Sequence, residues 1–300
     1  YDAPRNGVGA SAIGFIGAPE GEPAWSEVDA LLHNLDEAWF EVHEIASHFN
    51  GHFCGERSSA VGAWTTADWN QEIAEFDDFL TNYVANNDMQ PDTIRLPFGP
   101  ADIKGARTPC LEGQVDQLYP AELAAGYRYD ASGTTEQFSW PTRVDGGLWE
   151  TPVATIPVAC KSYRTLMLDY NFYANHSGGE PGDPSNFPAW RAQTLQSWQD
   201  AFDAAYTWNR APVVIGNHFN EWNGGIYKDA LTDFVLANCG RPETYCISHI
   251  ELVDWLDAQS PESLDAFRRG EFTKTDVDGV PVTTTTSTAT SPATSSTTAR

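Results

Sequence analysis

Apolar positions recur at helical spacing in several stretches of the chain. Val28, Leu31, Leu32, Leu35 and Trp39 fall on one face after Ser26 and Asp29, a pair suited to a helix start. A second helix is predicted after Thr66, where Trp69, Ile73, Phe76, Leu80 and Val84 are three or four residues apart. A third runs from about Trp190 through Leu195, Trp198, Phe202 and Tyr206, and Ser248 with Glu251 forms a capping-box pattern ahead of Leu252, Trp255 and Leu256. Short β-prone runs lie between them at 164–170, 212–216 and 245–247. Such runs, bounded by Gly and Pro and alternating with helices, predict parallel strands covered on both faces. The class is α/β, either barrel or doubly wound, and in both the chemistry gathers where strands end and loops begin.

Composition narrows the possibilities. The 300 residues are 41% hydrophobic and 12% aromatic, enough for one large core or two modest ones. Forty-two acidic against 17 basic residues give a formal charge of −25, which disfavours nucleic acid and anionic lipid as partners. No apolar run approaches the roughly 18 residues of a membrane span. Residues 283–299 hold only Thr, Ser, Ala and one Pro, the composition of a linker or an O-glycosylated stalk. The expected division is a folded domain over 1–274 and a disordered Thr/Ser-rich tail over 275–300. Of the five cysteines, Cys239 and Cys246 close a short loop that reads as a disulfide, favouring an oxidising, extracellular or cell-surface setting.

Four segments carry chemistry. His48 and His52 are four apart, a spacing that sets two imidazoles on one side of a helical turn to share a metal ion. Arg107, in Arg-Thr-Pro, suits a carboxylate clamp; Arg95, in Arg-Leu-Pro, competes with it. His218 directly follows the run 212–216 and would donate a proton to a leaving group if a carboxylate held its other nitrogen. Asp130, at the end of Gly-Tyr-Arg-Tyr-Asp, and Asp169 are the two candidates for that carboxylate. Trp222 beside His218 is a candidate aromatic platform, with Asn-Gly-Gly after it as a flexible rim; Trp140 and Trp149 are further candidate walls for a ligand.

In order, HFNGH at 48–52, RTP at 107–109, GYRYD at 126–130 and IGNH at 215–218 resemble the motifs of the polysaccharide deacetylases, the NodB-homology or carbohydrate esterase family 4 group. The resemblance spans about residues 40–258. It implies a NodB-type distorted (β/α) barrel and favours Arg107 over Arg95, because a helix over 114–125 and the Gly-Tyr strand follow Arg107. It implies Zn²⁺ held by His48 and His52, and hydrolysis of acetyl groups, chiefly N-acetyl, on a cell-wall or chitin-like polysaccharide by a monomer. His218 would be the acid, Asp130 or Asp169 its orienting partner, and Arg107 the clamp on a carboxylate base. It would also bring Cys54 near Cys110. The family's aspartate pair has no counterpart after Tyr1, so the expectation is an N-terminally truncated domain, its third zinc ligand and base lying upstream; the other reading is a homologue that never had them. The alternatives are a non-catalytic carbohydrate-binding surface protein on the same fold and a metal-dependent hydrolase of small non-peptide amides.

Overall fold

A computed structural model describes residues 2–3, 7–8, 24–55, 58–87, 89–90, 93–275 and 281–282. Of the Thr/Ser-rich tail expected over 275–300, residues 276–280 and 283–300 lie outside the described residues. The architecture is mixed α/β. Eight helices are described: α1 (Ala24–Phe40), α2 (Thr66–Asn86), α3 (Val115–Ala124), α4 (Asp169–Ser177), α5 (Phe187–Thr207), α6 (Trp222–Asn238), α7 (His249–Asp257) and α8 (Pro261–Arg269). Two-residue hairpins stand at either end, β1 (Asp2–Ala3) with β2 (Gly7–Val8) and β10 (Lys274–Thr275) with β11 (Pro281–Val282).

The remaining strands are short and form two open sheets. One has the order β3 (Gly105–Ala106), β4 (Tyr129–Asp130), β7 (Trp149–Glu150), β6 (Thr142–Arg143); the other has β5 (Thr134–Glu136), β8 (Val153–Pro157), β9 (Arg164–Leu166). β3, β4 and β7 are mutually parallel, as are β5 and β8, but β6 and β9 run antiparallel to their neighbours, so the sheets are mixed. Single parallel bridges extend the arrangement, Ser47 beside Ala106 and Leu168 beside Gly216. The segments ending at Ser47, Ala106, Asp130, Leu168 and Gly216 therefore lead directly into the loops that carry the candidate residues.

The helix periodicity is realised with shifted ends. Thr65 caps α2, one residue before the expected start, in a capping box with Asp68. Trp69 and Ile73 are buried, with Phe76 and Leu80 packed beside them. In α1, Leu32 turns inward and Leu31 stays exposed. Ser248 and Glu251 cap α7 reciprocally, as their spacing predicts. The run 164–170 is a strand only to Leu166, because Asp169 opens α4. The run 212–216 pairs only through its last residue. The segment 245–247 forms no ladder among the described residues; Tyr245 is 83% exposed, so the burial that favours a β-prone run is missing.

Four apolar clusters fill the spaces between layers, the smallest formed by Leu32, Tyr83 and Met89 between α1 and α2. Trp198, Phe172, Tyr227 and Phe234 pack the helices α4–α6 against β8 and β9. Trp64, Trp69, Leu118 and Ile103 join α2 and α3 to β3. Trp140, Trp149 and Tyr129 pack against Val253 and Leu256 of α7 and Leu264 of α8. The ring of Tyr129 crosses directly over Gly105, where any Cβ would collide with it. Gly105→Ala is expected to cost about 1–3 kcal/mol in denaturant unfolding. Gly99→Ala, with nothing within 4 Å of its Cβ, should be close to neutral.

Candidate active site

His48 and His52 leave the sheet in an irregular loop, not in the helical turn that their spacing suggests. Phe49 takes a left-handed φ of 56° and buries its ring against Trp69, 5.0 Å away. The backbone N–H groups of Asn50 and Gly51 both donate to Glu72 Oε1, at 2.5 and 2.6 Å. Glu72 is a fully buried carboxylate of α2, and it moulds this loop. Its position had a signal: it follows Trp69 by three residues and precedes Phe76 by four, so an acid stands on the inward face of an amphipathic helix. The two histidine rings still meet, 5.8 Å apart and edge to face.

Arg107 ties three segments together. Its N–H donates to Ser47 O at 2.9 Å, its carbonyl accepts from His48 Nδ1 at 2.7 Å, and its Nε donates to Ala131 O at 2.9 Å. With Nδ1 so engaged, Nε2 is the nitrogen His48 has free. Burial first, then the neighbouring positive charges, lowers the His48 pKa below the ordinary histidine range, although the bond to the Arg107 carbonyl opposes this. His52 is lowered as well, again by burial first and also by His218. Both imidazoles are thereby favoured as neutral lone-pair donors. The charge of His218 contributes to lowering both, and Gly216, two residues before it, lies beside Arg107.

His218 Nδ1 contacts Asp169 Oδ1 at 2.7 Å, and the His218 N–H donates to Asp169 Oδ2 at 2.7 Å. Asp169 is 1% exposed and also accepts from Tyr170 N at 2.7 Å. Of the two acids considered for orienting His218, Asp169 occupies that role. Asp130 instead accepts from the Ser132 hydroxyl and backbone N–H, and Ser132 Oγ accepts from Thr108 N at 2.8 Å. It thus braces the Arg-Thr-Pro loop, with burial pushing its carboxyl up to about 6. Gly216 leaves room beside this loop: a Cβ there would stand 3.3 Å from Arg107 Nη1 and would overlap Leu168.

The three tryptophans separate. Trp222 lies 5.1 Å from the His218 ring and 5.4 Å from the half-exposed Tyr170, at the site. Trp140 and Trp149 are core residues, 8% and 3% exposed; their indole N–H groups are spent on Asn209 O and Asp257 Oδ1. Large apolar area made burial the stronger demand on both. The Asn-Gly-Gly expected as a flexible rim is a tied left-handed turn, in which Asn223 accepts from Gly182 N and donates to Tyr227 OH.

Cys54 and Cys110 form a disulfide that joins the histidine loop to the Arg-Thr-Pro loop, and Cys239 pairs with Cys246 as their spacing suggests. Two further residues escaped the sequence reading. Glu44 accepts from Tyr129 OH at 2.8 Å and from Ile250 N at 2.9 Å, joining the start of α7 to β4. His249 stacks on Tyr129 and is pushed down to about 4, by burial first and by Arg107 second. No sequence pattern marks either one.

No protein-family model matches the chain, and no curated protein does. Glu72→Ala would strand two buried N–H donors and should destabilise the protein by about 3 kcal/mol. Glu72→Gln, which keeps an acceptor oxygen, should cost less in the same denaturant titration. His249 binds its proton more weakly folded than unfolded, so the unfolded chain charges first as pH falls. Between pH 6.5 and about 4 this histidine should therefore remove stability, about 3 kcal/mol in all. The difference in unfolding free energy between wild type and His249→Gln should shift by that amount over the window.

Proposed function

We propose that the chain is a zinc-dependent polysaccharide deacetylase, built on a NodB-type distorted (β/α) barrel, that hydrolyses acetyl groups, chiefly N-acetyl, of a cell-wall or chitin-like glycan. The observation that carries this reading is the pairing of two neighbouring imidazoles, one with its Nδ1 fixed by a backbone carbonyl, with a third imidazole held by a buried carboxylate.

The donor set suits a zinc ion in part. His48 has the arrangement usual for a zinc-binding histidine, Nδ1 bonded to a carbonyl oxygen and Nε2 available. His52 contributes a second ring nitrogen, and the remaining protein ligand is not among the described residues. Bound zinc would supply Lewis acidity, polarising the acetyl carbonyl and making a water more acidic. The protein's own groups would do the rest. Asp169 fixes His218 with Nδ1 inward, so Nε2 is the position from which a proton passes to the departing amine nitrogen. Arg107, its Nε committed to Ala131 O, keeps its terminal nitrogens for a carboxylate. Trp222 and Tyr170 offer faces against which a sugar ring would stack.

Two disulfides are compatible with an extracellular or cell-surface setting, and no helix among the described residues is long and apolar enough to cross a membrane. The test is acetate release from acetylated chitin oligomers and peptidoglycan by the protein in its full natural length. Chelation, His48→Ala and His52→Ala should each abolish release. Asp169→Asn should lower kcat about 10²–10⁴-fold while leaving the zinc content unchanged. Unchanged release in His48→Ala would remove zinc from the account, and glycan binding without acetate would favour a binding module on the same fold.

A further inference from the structure

His52 faces two groups. One is the ring of His48; the other is the pair of sulfurs of Cys54 and Cys110. His52 Nδ1 is 3.4 Å from Cys54 Sγ and 3.6 Å from Cys110 Sγ, and one ligand atom from each of the three residues lies within 4.8 Å of the others. Joined as a disulfide, the sulfurs carry no charge and are poor metal donors. Opened, they would be two soft ligands beside an imidazole, a set suited to a thiophilic divalent ion.

We propose that Cys54 and Cys110 form a reducible lock, and that opening it creates a His52–Cys54–Cys110 site for a zinc-class ion. A dithiol reductant supplies the electrons. Its thiolate attacks one sulfur, the Cys54–Cys110 bond breaks, and its second thiol resolves the mixed disulfide, leaving two cysteine thiols and an oxidised reductant. The ion then displaces one proton from each thiol, while His52 contributes a lone pair, and water completes a tetrahedral shell.

The geometry survives opening because the loops are held together by more than the sulfurs. Gly55 N donates to Glu112 Oε2 at 2.7 Å, and His48 Nδ1 bonds the Arg107 carbonyl at 2.7 Å. These ties flank Cys54 and Cys110 on both loops, so the thiolates would stay beside His52. Glu112 also places a negative charge near His52, adding attraction for a cation. Cys54 is exposed, which gives a reductant access. A neutral imidazole has one free lone pair, so an ion held here would compete with the one His52 shares with His48; that consequence alone rests on the zinc reading above.

The experiment uses the natural protein, reduced with a dithiol, desalted without oxygen and titrated with Co²⁺. A near-ultraviolet thiolate-to-cobalt charge-transfer band should appear in reduced protein only. It should vanish in Cys54→Ser/Cys110→Ser, and its affinity should fall about tenfold or more in His52→Ala. Full amplitude in the double variant would move the thiolates to Cys160, Cys239 or Cys246 and overturn the proposal. In the unmodified chain, Zn²⁺ should slow alkylation of Cys54 and Cys110, mapped by peptide mass, and leave Cys160 unaffected. Equal alkylation with and without Zn²⁺ would overturn it as well. Neither readout involves acetate, so this proposal and the hydrolase reading fail separately.

Discussion

Arg107 is the residue on which the arrangement of the site depends. Its backbone N–H and C=O both serve the segment that carries His48, and its side-chain Nε serves the backbone after Asp130. One residue thereby fixes the relative heights of three neighbouring parallel segments. A guanidinium used this way costs desolvation, and burial indeed lowers the Arg107 pKa, with Asp130 as the chief opposing influence. Replacing it with Lys would preserve a charge but lose the planar donor that reaches Ala131 O. The same substitution would leave the backbone bonds in place, so the two functions of this position are separable in principle.

The loops that meet at Arg107 are secured redundantly. The Cys54–Cys110 link closes a segment of 56 residues, worth about 4 kcal/mol of unfolded-chain entropy. Glu72 holds the peptide groups after Phe49 from beneath, and Glu112 holds Gly55 from the other loop. Ser132, braced by Asp130, holds Thr108. A histidine pair on irregular backbone needs such bracing. No helix or ladder sets its position, and a displacement of about 1 Å is enough to spoil a constellation of ligands.

What was legible in the sequence follows the same physics. The faces of α2, α5 and α7 were readable because repeating apolar burial leaves a periodic trace, and the caps at Ser248 and Glu251 are local chemistry. Asp169 was visible as a candidate, but choosing it over Asp130 needed the parallel bridge between Leu168 and Gly216, a contact between residues 48 apart. Trp140 and Trp149 looked like ligand walls because aromatic residues serve cores and sites alike, and only three-dimensional burial separates the two uses. The helix α4 was hidden behind a β-prone run, since Leu166 to Leu168 suit a strand and the change of state comes at Asp169. Glu44 and His249 left no trace, because each acts through a partner distant in sequence.

The chain has seven histidines, and their surroundings divide the labour among identical side chains. His33 and His43 sit on the surface near carboxylates, where water screens whatever they do. His176 lies between Trp190 and Tyr227 with both ring nitrogens engaged, by Tyr227 OH and Gln193 Oε1, so it has nothing left to offer a ligand. His249 is pressed against Tyr129 beside the Arg107 charge, which opposes a proton there. In His48 and His218 one nitrogen is fixed by the protein and the other is left over. The fixing group differs: a neutral carbonyl for His48, a buried carboxylate for His218. A carbonyl orients an imidazole without adding charge, whereas a carboxylate orients it and sets a negative charge behind the ring. The acceptor behind each ring is therefore what distinguishes the two histidines: a neutral carbonyl leaves His48 a neutral donor, and a buried carboxylate places a negative charge behind His218.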